Sequence, residues 1–249
     1  MAEVTQTIDP AQSRTIEKLR YSAYTLEKDI VLFAAAGKKF RNVRLYVIIS
    51  SNLPADILFM TERCIAGGAD CIQLRAKDVE DDTLFAVAAE FVQLCRTGRV
   101  ISMINNRVDI AVAAQADGVH LGQSDLPVSE ARRLQMSPLI IGKSTHCPEQ
   151  LRLACREQPT YAALGPVFST DTKPTAEPVG LDYVKQGAEM LCDTGIGHVA
   201  IGGITAENVT EVLRVGAGAI AVCSAVTQAS DPESACRKFK EIIGSIYGE

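Results

Sequence analysis

The chain has no long apolar run. No stretch approaches the roughly 18 consecutive apolar residues of a membrane-spanning helix, which argues against a membrane protein of the helical kind. Positive charge is not in excess either: 25 Lys and Arg stand against 30 Asp and Glu, for a net charge of −5. A wide cationic face for nucleic acid is thereby disfavoured, and the basic residues read as parts of local pockets. A CxxC pair is missing. The eight cysteines, at 64, 71, 95, 147, 155, 192, 223 and 236, are scattered and mostly lie in apolar segments, as reduced thiols packed as small hydrophobes would. Neither a disulfide framework nor a zinc site is expected. The opening residues, MAEVTQTIDPAQ, lack a cationic segment followed by an apolar one, so the expectation is a soluble, untargeted, cytoplasmic protein. Histidine is scarce as well. His120 stands in a strand-like run and reads as a packed, hydrogen-bonded residue, while His146, close to Ser144, is the one histidine placed at a pocket rim. No nucleophile or strong general base for covalent catalysis is evident.

What is present is an alternation of strand-like and helix-like segments. Apolar strand candidates run over Arg44–Ser50, Asp70–Arg75, Val100–Asn105, Gly118–Leu121, Leu139–Lys143, Tyr161–Leu164, Gly197–Gly202 and Ala219–Cys223. Amphipathic stretches lie between them, such as Asp81–Cys95 and Thr205–Val215, the latter with Thr205 as N-cap and Gly216 as terminator. With 249 residues, 47% of them apolar, the chain suits a single α/β domain, a (β/α)8 TIM barrel, with a doubly wound sheet as runner-up. Residues 1–41 form a separate N-terminal helical extension to a barrel of residues 42–249. In that extension Ile16, Leu19, Ala23, Leu26, Ile30 and Phe33 recur at alternating steps of three and four, which predicts a helix ending near Gly37. Its narrow apolar stripe is suited to covering the barrel base or a subunit interface, so a homo-oligomer is possible.

Barrel enzymes act at the carboxyl ends of their strands, and the polar motifs of this chain cluster there. QLRAK ends the second strand, INN the third, HLGQSD the fourth and GKSTH the fifth; GPVFSTDTK follows the sixth, and IGGI and VCSA end the seventh and eighth. Gln73, Arg75 and Lys77 are spaced two apart, so on an extended strand end they project to one side, where cations can meet a polyphosphate. Thr170 and Thr172 are likewise two apart, with Lys173 alongside. Gly202, Gly203, Cys223 and Ser224 leave main-chain N–H groups for a phosphate monoester. Two phosphate-friendly regions on one barrel point to an enzyme handling two phosphorylated small molecules. The segment from Thr170 to Gly180, with Pro174 and Pro178 around a polar turn, reads as a closing lid.

In that order and at those intervals, QLRAKD, INNRVDIA, DGVHLGQSD, GKSTH, GPVFSTDTK, IGGIT and VCSA resemble the thiamin phosphate synthase family, from about Arg44 to Tyr247. The resemblance implies a transferase that joins a pyrimidine diphosphate to a thiazole phosphate and releases diphosphate through a pyrimidine cation. It implies that Gln73, Leu74, Arg75, Ala76, Lys77, Asn105, Ser144 and Lys173 hold the pyrimidine diphosphate, with Arg75, Lys77, Lys173 and Ser144 carrying the catalytic burden. Thr170, Asp171, Thr172, Gly203, Cys223 and Ser224 would hold the thiazole phosphate. Asn106 and Asp125 would hold Mg²⁺. The chain departs from the family at Asn106, where the usual residue is Asp; an amide oxygen still suits Mg²⁺, so weakened metal affinity and retained activity are expected. A thiazole tautomerase, or a non-catalytic sensor of thiamin precursors, would share the fold, but the full set of cations around a diphosphate speaks against both.

Overall fold

A computed structural model describes residues 9–135, 137–170 and 177–248. Among them, eight parallel strands close in sequence order into a barrel: β1 (Leu45–Ser50), β2 (Cys71–Arg75), β3 (Ile101–Asn105), β4 (Gly118–Leu121), β5 (Ile140–Thr145), β6 (Tyr161–Leu164), β7 (Gly197–Ile201) and β8 (Ile220–Val222). The helices are α1 (Pro10–Phe40) before the barrel, α2 (Pro54–Ala66), α3 (Asp81–Gly98), α4 (Val108–Ala113), α5 (Val128–Arg133), α6 (Pro148–Glu157), α7 (Gly180–Leu191), α8 (Val209–Arg214), α9 (Ser224–Thr227) and α10 (Pro232–Tyr247).

Strand alternation sorts the side chains into two sets. Leu45, Val47, Ile49, Ile72, Leu74 and Ile104 face outward and join the apolar layer beneath the helices. The opposite parity fills the barrel with Tyr46, Ile48, Cys71, Met103, Ile140 and Tyr161. Gly142 is what admits Tyr161, because a Cβ there would stand 2.2 Å from its ring. The same parity carries Gln73 and Arg75, two and four residues beyond Cys71, to the inner side of β2 at its carboxyl end.

The structure differs from the sequence expectation at three places. The first helix runs through Gly37 to Phe40, since a lone glycine facing open space weakens a helix without stopping it. Its carboxyl end plugs the barrel base, where Phe40 stacks on Tyr161 at 4.3 Å between ring centres. Thr205 is not an N-cap: its N–H donates to Asn208 Oδ1 (2.9 Å) in a turn, and α8 begins only at Val209. Gly216 does terminate that helix, at φ +100°. Finally β5 extends to Thr145, so Ser144 lies within the strand and its orientation is set by the sheet.

Cys64, Cys71, Cys95 and Cys236 are buried, and burial pushes the thiols of Cys71 and Cys95 above the ordinary range, which suits packing and not reactivity. No described helix is long and apolar enough to cross a membrane.

Candidate active site

The carboxyl ends of the strands surround a cavity of about 560 Å³. On one side β2 and the loop after it contribute Gln73, Arg75 and Lys77. The Arg75 guanidinium donates to Ser50 Oγ (2.7 Å) from β1, and the Lys77 N–H donates to Asn52 Oδ1 (2.9 Å), so the loops after β1 and β2 brace one another. Asn105 closes β3 and also lines the cavity. Asn106 follows at φ +63°, a left-handed conformation that Asn tolerates better than most residues, and its N–H donates to the His120 carbonyl (2.8 Å). Arg107 turns away from the cavity to pair with Asp81 and Asp109, whose carboxyls it holds below their usual range. Its role is to tether the β3–α4 loop to the start of α3.

Asp125 lines the same cavity from the loop after β4, and its Oδ2 accepts the Gly122 N–H at 2.5 Å. Gly122 is in turn held by Lys143, whose ammonium donates to its carbonyl (3.0 Å). Asn106 and Asp125, on adjacent loops, make a sparse oxygen set of one amide and one carboxylate. Mg²⁺ characteristically takes one or two protein oxygens and completes its shell with phosphate and water, so the donors present fit that ion when a diphosphate is bound. No cluster of three or more His, Cys, Asp or Glu side chains suited to a metal occurs among the described residues, so a self-sufficient protein cage is not what these residues form.

The opposite side is built from β7 and β8. Gly202 and Gly203 have φ of +104° and +63°, and a Cβ on Gly203 would come within 2.4 Å of the Ser169 carbonyl oxygen. Both positions therefore require glycine, and the Gly203 carbonyl is pinned by the Asn208 side-chain amide (2.9 Å). Cys223 and Ser224 line the cavity at the start of α9, where the first main-chain N–H groups of a helix lack intrahelical acceptors. Thr170 lines it as well. Asp171, Thr172 and Lys173, with the greater part of the expected lid, lie outside the described residues. Leu74 and Ala76 are absent from the cavity lining. Leu74 has outward parity and is buried beneath the helices, and Ala76 packs against the same layer, so main-chain atoms are what this segment offers the cavity.

The cavity floor holds a feature that no motif announced. Gln73 Nε2 donates to the Tyr46 hydroxyl (2.6 Å), the Tyr46 and Tyr161 hydroxyls lie 3.1 Å apart, Tyr161 is 2.9 Å from His120 Nδ1, and His120 Nε2 is 2.8 Å from Ser144 Oγ. One assignment of the protons satisfies every group in the chain of bonds. With the Gln73 amide donating, Tyr46 passes its proton bond to Tyr161 and Tyr161 to Nδ1; Nε2–H then donates to Ser144, whose own O–H is left to point at a ligand. Burial keeps both tyrosines neutral by raising their pKa values well above the ordinary range. His120 is hydrogen-bonded as its strand-like surroundings suggest, and it also lines the cavity, while no local pattern in the sequence marks Tyr46 or Tyr161. His146 also lines the cavity, with Nδ1 2.5 Å from the Gly165 carbonyl.

A closed (β/α)8 barrel with Arg75 and Lys77 at the end of β2, facing the Gly202–Gly203 turn after β7 and the start of α9 after β8 across one cavity, has the layout of barrel proteins that handle phosphorylated ligands. Within that class the chain belongs to the thiamine monophosphate synthase family, whose model matches residues 45–226. It is 42% identical over 209 residues to a thiamine-phosphate synthase of Thermus thermophilus, a match covering 82% of this chain and 98% of that protein. A thiamine-phosphate synthase of Synechocystis is 37% identical over 227 residues, 91% of this chain; the chain spans 64% of that relative's length, and 65% of the one from Thermosynechococcus vestitus. A solved thiamine phosphate pyrophosphorylase from Pyrococcus furiosus superposes with a TM-score of 0.75 at 32% identity, covering 83% of this chain and 98% of that one.

Proposed function

We propose that this chain condenses 4-amino-2-methyl-5-hydroxymethylpyrimidine diphosphate with 4-methyl-5-(2-phosphoethyl)thiazole to give thiamin phosphate and diphosphate. The observation that carries the reading is the two-sided cavity: Gln73, Arg75 and Lys77 on one wall and Gly203, Cys223 and Ser224 on the other open into a single space. One wall suits a diphosphate and the other a monoester, and the membership of the family agrees with both.

The chemistry follows from that placement, with Thr172 and Lys173, outside the described residues, taking the roles that the family resemblance implies. The bond between the pyrimidine methylene and the diphosphate oxygen breaks heterolytically, its electron pair leaving with the diphosphate. Arg75, Lys77 and Lys173 stabilise the charge that develops on the departing oxygens. A magnesium ion held by Asp125 and Asn106 would add to that neutralisation when bound. The positive charge left on the methylene is delocalised into the aminopyrimidine, which Ser144 and Gln73 orient from the cavity floor. The thiazole nitrogen, brought close by its phosphate at Thr170, Thr172, Gly203, Cys223 and Ser224, then forms the new carbon–nitrogen bond. The carboxylated thiazole is accepted in the same way, losing CO2. No protein nucleophile is needed, in keeping with the histidines, which are engaged as hydrogen-bonding residues.

The test is diphosphate release with both substrates and Mg²⁺, compared with either substrate alone. Release that requires both supports the synthase; thiazole isomerisation without diphosphate would mark a tautomerase, and binding without turnover a sensor.

A further inference from the structure

The helix α1 leaves the barrel and projects away from it. Its carboxyl end is anchored by Phe40 and Ala36 in the barrel base and by Arg132, whose guanidinium lies over the Phe33 ring at 5.4 Å. From residue 12 to residue 24 every position is exposed, and Leu19, Leu26 and Ile30 are 60 to 65% exposed. A helix that packs on nothing derives little stability from its own backbone. An apolar stripe on such a helix implies a covering surface.

The stripe repeats as a strict heptad. Ile16, Ala23 and Ile30 occupy the a positions and Leu19, Leu26 and Phe33 the d positions, the seam of a two-stranded coiled coil. The two charged residues at the e positions are Arg20 and Glu27. Among the described residues, neither has an ion-pair partner within its own chain. In an antiparallel pair of α1 helices the e positions face one another. The register that sets Ala23 against Leu26 of a second copy also sets Leu19 against Ile30 and Ile16 against Phe33, each twice by symmetry. It places Arg20 opposite Glu27 of the second copy, also twice. Sliding by one heptad in either direction would set Arg20 on Arg20 or Glu27 on Glu27. A parallel pair offers neither charge an opposite partner and would bring both barrels to the same end of the bundle.

We propose that α1 is a dimerisation helix, pairing antiparallel with α1 of a second copy in the register that joins Arg20 to Glu27, with a barrel at each end. The proposal is independent of the chemistry assigned to the cavity, since all its residues lie before the first strand.

The test uses the full 249-residue chain in sedimentation equilibrium. The wild type is expected to be a dimer and Leu26→Glu a monomer whose far-ultraviolet circular dichroism still shows the barrel. Arg20→Glu and Glu27→Arg should each weaken dimerisation by roughly tenfold or more, and the double reversal should restore it to within about threefold, because swapped charges complement each other only in the antiparallel register. A monomeric wild type, a dimer indifferent to Leu26→Glu, or single reversals that the double variant does not rescue would each overturn the proposal. A monomer whose stripe is covered by further polypeptide, as the greater length of some relatives would permit, counts among the overturning results.

Discussion

His120 Nε2 stands 2.8 Å from Ser144 Oγ, while Nδ1 of the same ring is 2.9 Å from the Tyr161 hydroxyl. Through this one imidazole, a serine on β5 at the cavity surface is connected to tyrosines at the centre of the barrel and, beyond them, to Gln73 on β2. Tyr161→Phe should break that connection while keeping the stack on Phe40. It removes the Tyr161 hydroxyl that lies 3.1 Å from the Tyr46 hydroxyl and 2.9 Å from His120 Nδ1, at an expected cost of about 1–3 kcal/mol in stability. The specificity constant for the pyrimidine diphosphate should also fall by roughly tenfold with little change for the thiazole phosphate, as loss of Ser144 orientation requires. Steady-state kinetics on each substrate check this; an equal fall for both substrates would mean that Tyr161 serves the fold alone.

Asn106→Asp tests the metal assignment. The left-handed φ of +63° is open to Asp as well as Asn, so the backbone should be undisturbed. A second carboxylate beside Asp125 should lower the Mg²⁺ concentration for half-maximal rate and leave the maximal rate nearly unchanged, since hard cations respond strongly to ligand charge. A Mg²⁺ titration with no difference from wild type would remove Asn106 from the metal site.

Gly203→Ala tests the monoester wall. Its φ of +63° and the approach of a Cβ to 2.4 Å from the Ser169 oxygen force the β7 loop to shift. Binding of the thiazole phosphate should weaken by roughly tenfold or more, with stability lower by about 1–2 kcal/mol. Calorimetry with each substrate separately is the check, and unchanged affinity for the thiazole phosphate would place its phosphate elsewhere.

Alkaline pH should unfold the chain. Burial raises the pKa of Tyr183 to about 12 and holds Tyr46 and Tyr161 well above 10.0, the ordinary value. Above pH 10 an unfolded chain releases these protons and the folded one retains them, so the unfolded state binds fewer protons and stability falls as pH rises. The stability these groups contribute is intact below pH 10 and is lost progressively above it. Denaturant titrations across the alkaline range should show a falling midpoint, and Tyr183→Phe should flatten the slope. A midpoint constant up to pH 12 would contradict the burial of these hydroxyls.

How far the sequence reveals this molecule can be seen from particular residues. The strand alternation of Gln73 and Arg75 is legible because parity follows from the strand geometry alone, whereas Lys77 reaches the cavity from the loop beyond β2; the glycine pair before Ile204 is legible because close turns admit little else. Ser144 was found through its motif, but not its support: Tyr46 and Tyr161 are 115 residues apart, and no local pattern reveals that two hydroxyls meet inside a closed barrel. Leu74 and Ala76 come with the motif that carries the family resemblance, and within it the pleat turns the Leu74 side chain away from the cavity. The end of α1 was misplaced because Gly37 carries no structural demand, and the anchor is Phe40, whose partner Tyr161 lies far along the chain.

The central claim is that the two walls of one cavity bring two phosphorylated substrates into a single bond-forming event. Its most direct test is the stoichiometry of products from both substrates and Mg²⁺, with thiamin phosphate followed by mass and diphosphate by a coupled assay, for wild type and Lys77→Ala. One diphosphate per thiamin phosphate is expected, with a rate for Lys77→Ala lower by roughly a hundredfold and a thermal midpoint close to that of wild type. Diphosphate released without thiamin phosphate, or a Lys77→Ala variant that loses stability and activity in equal measure, would contradict it.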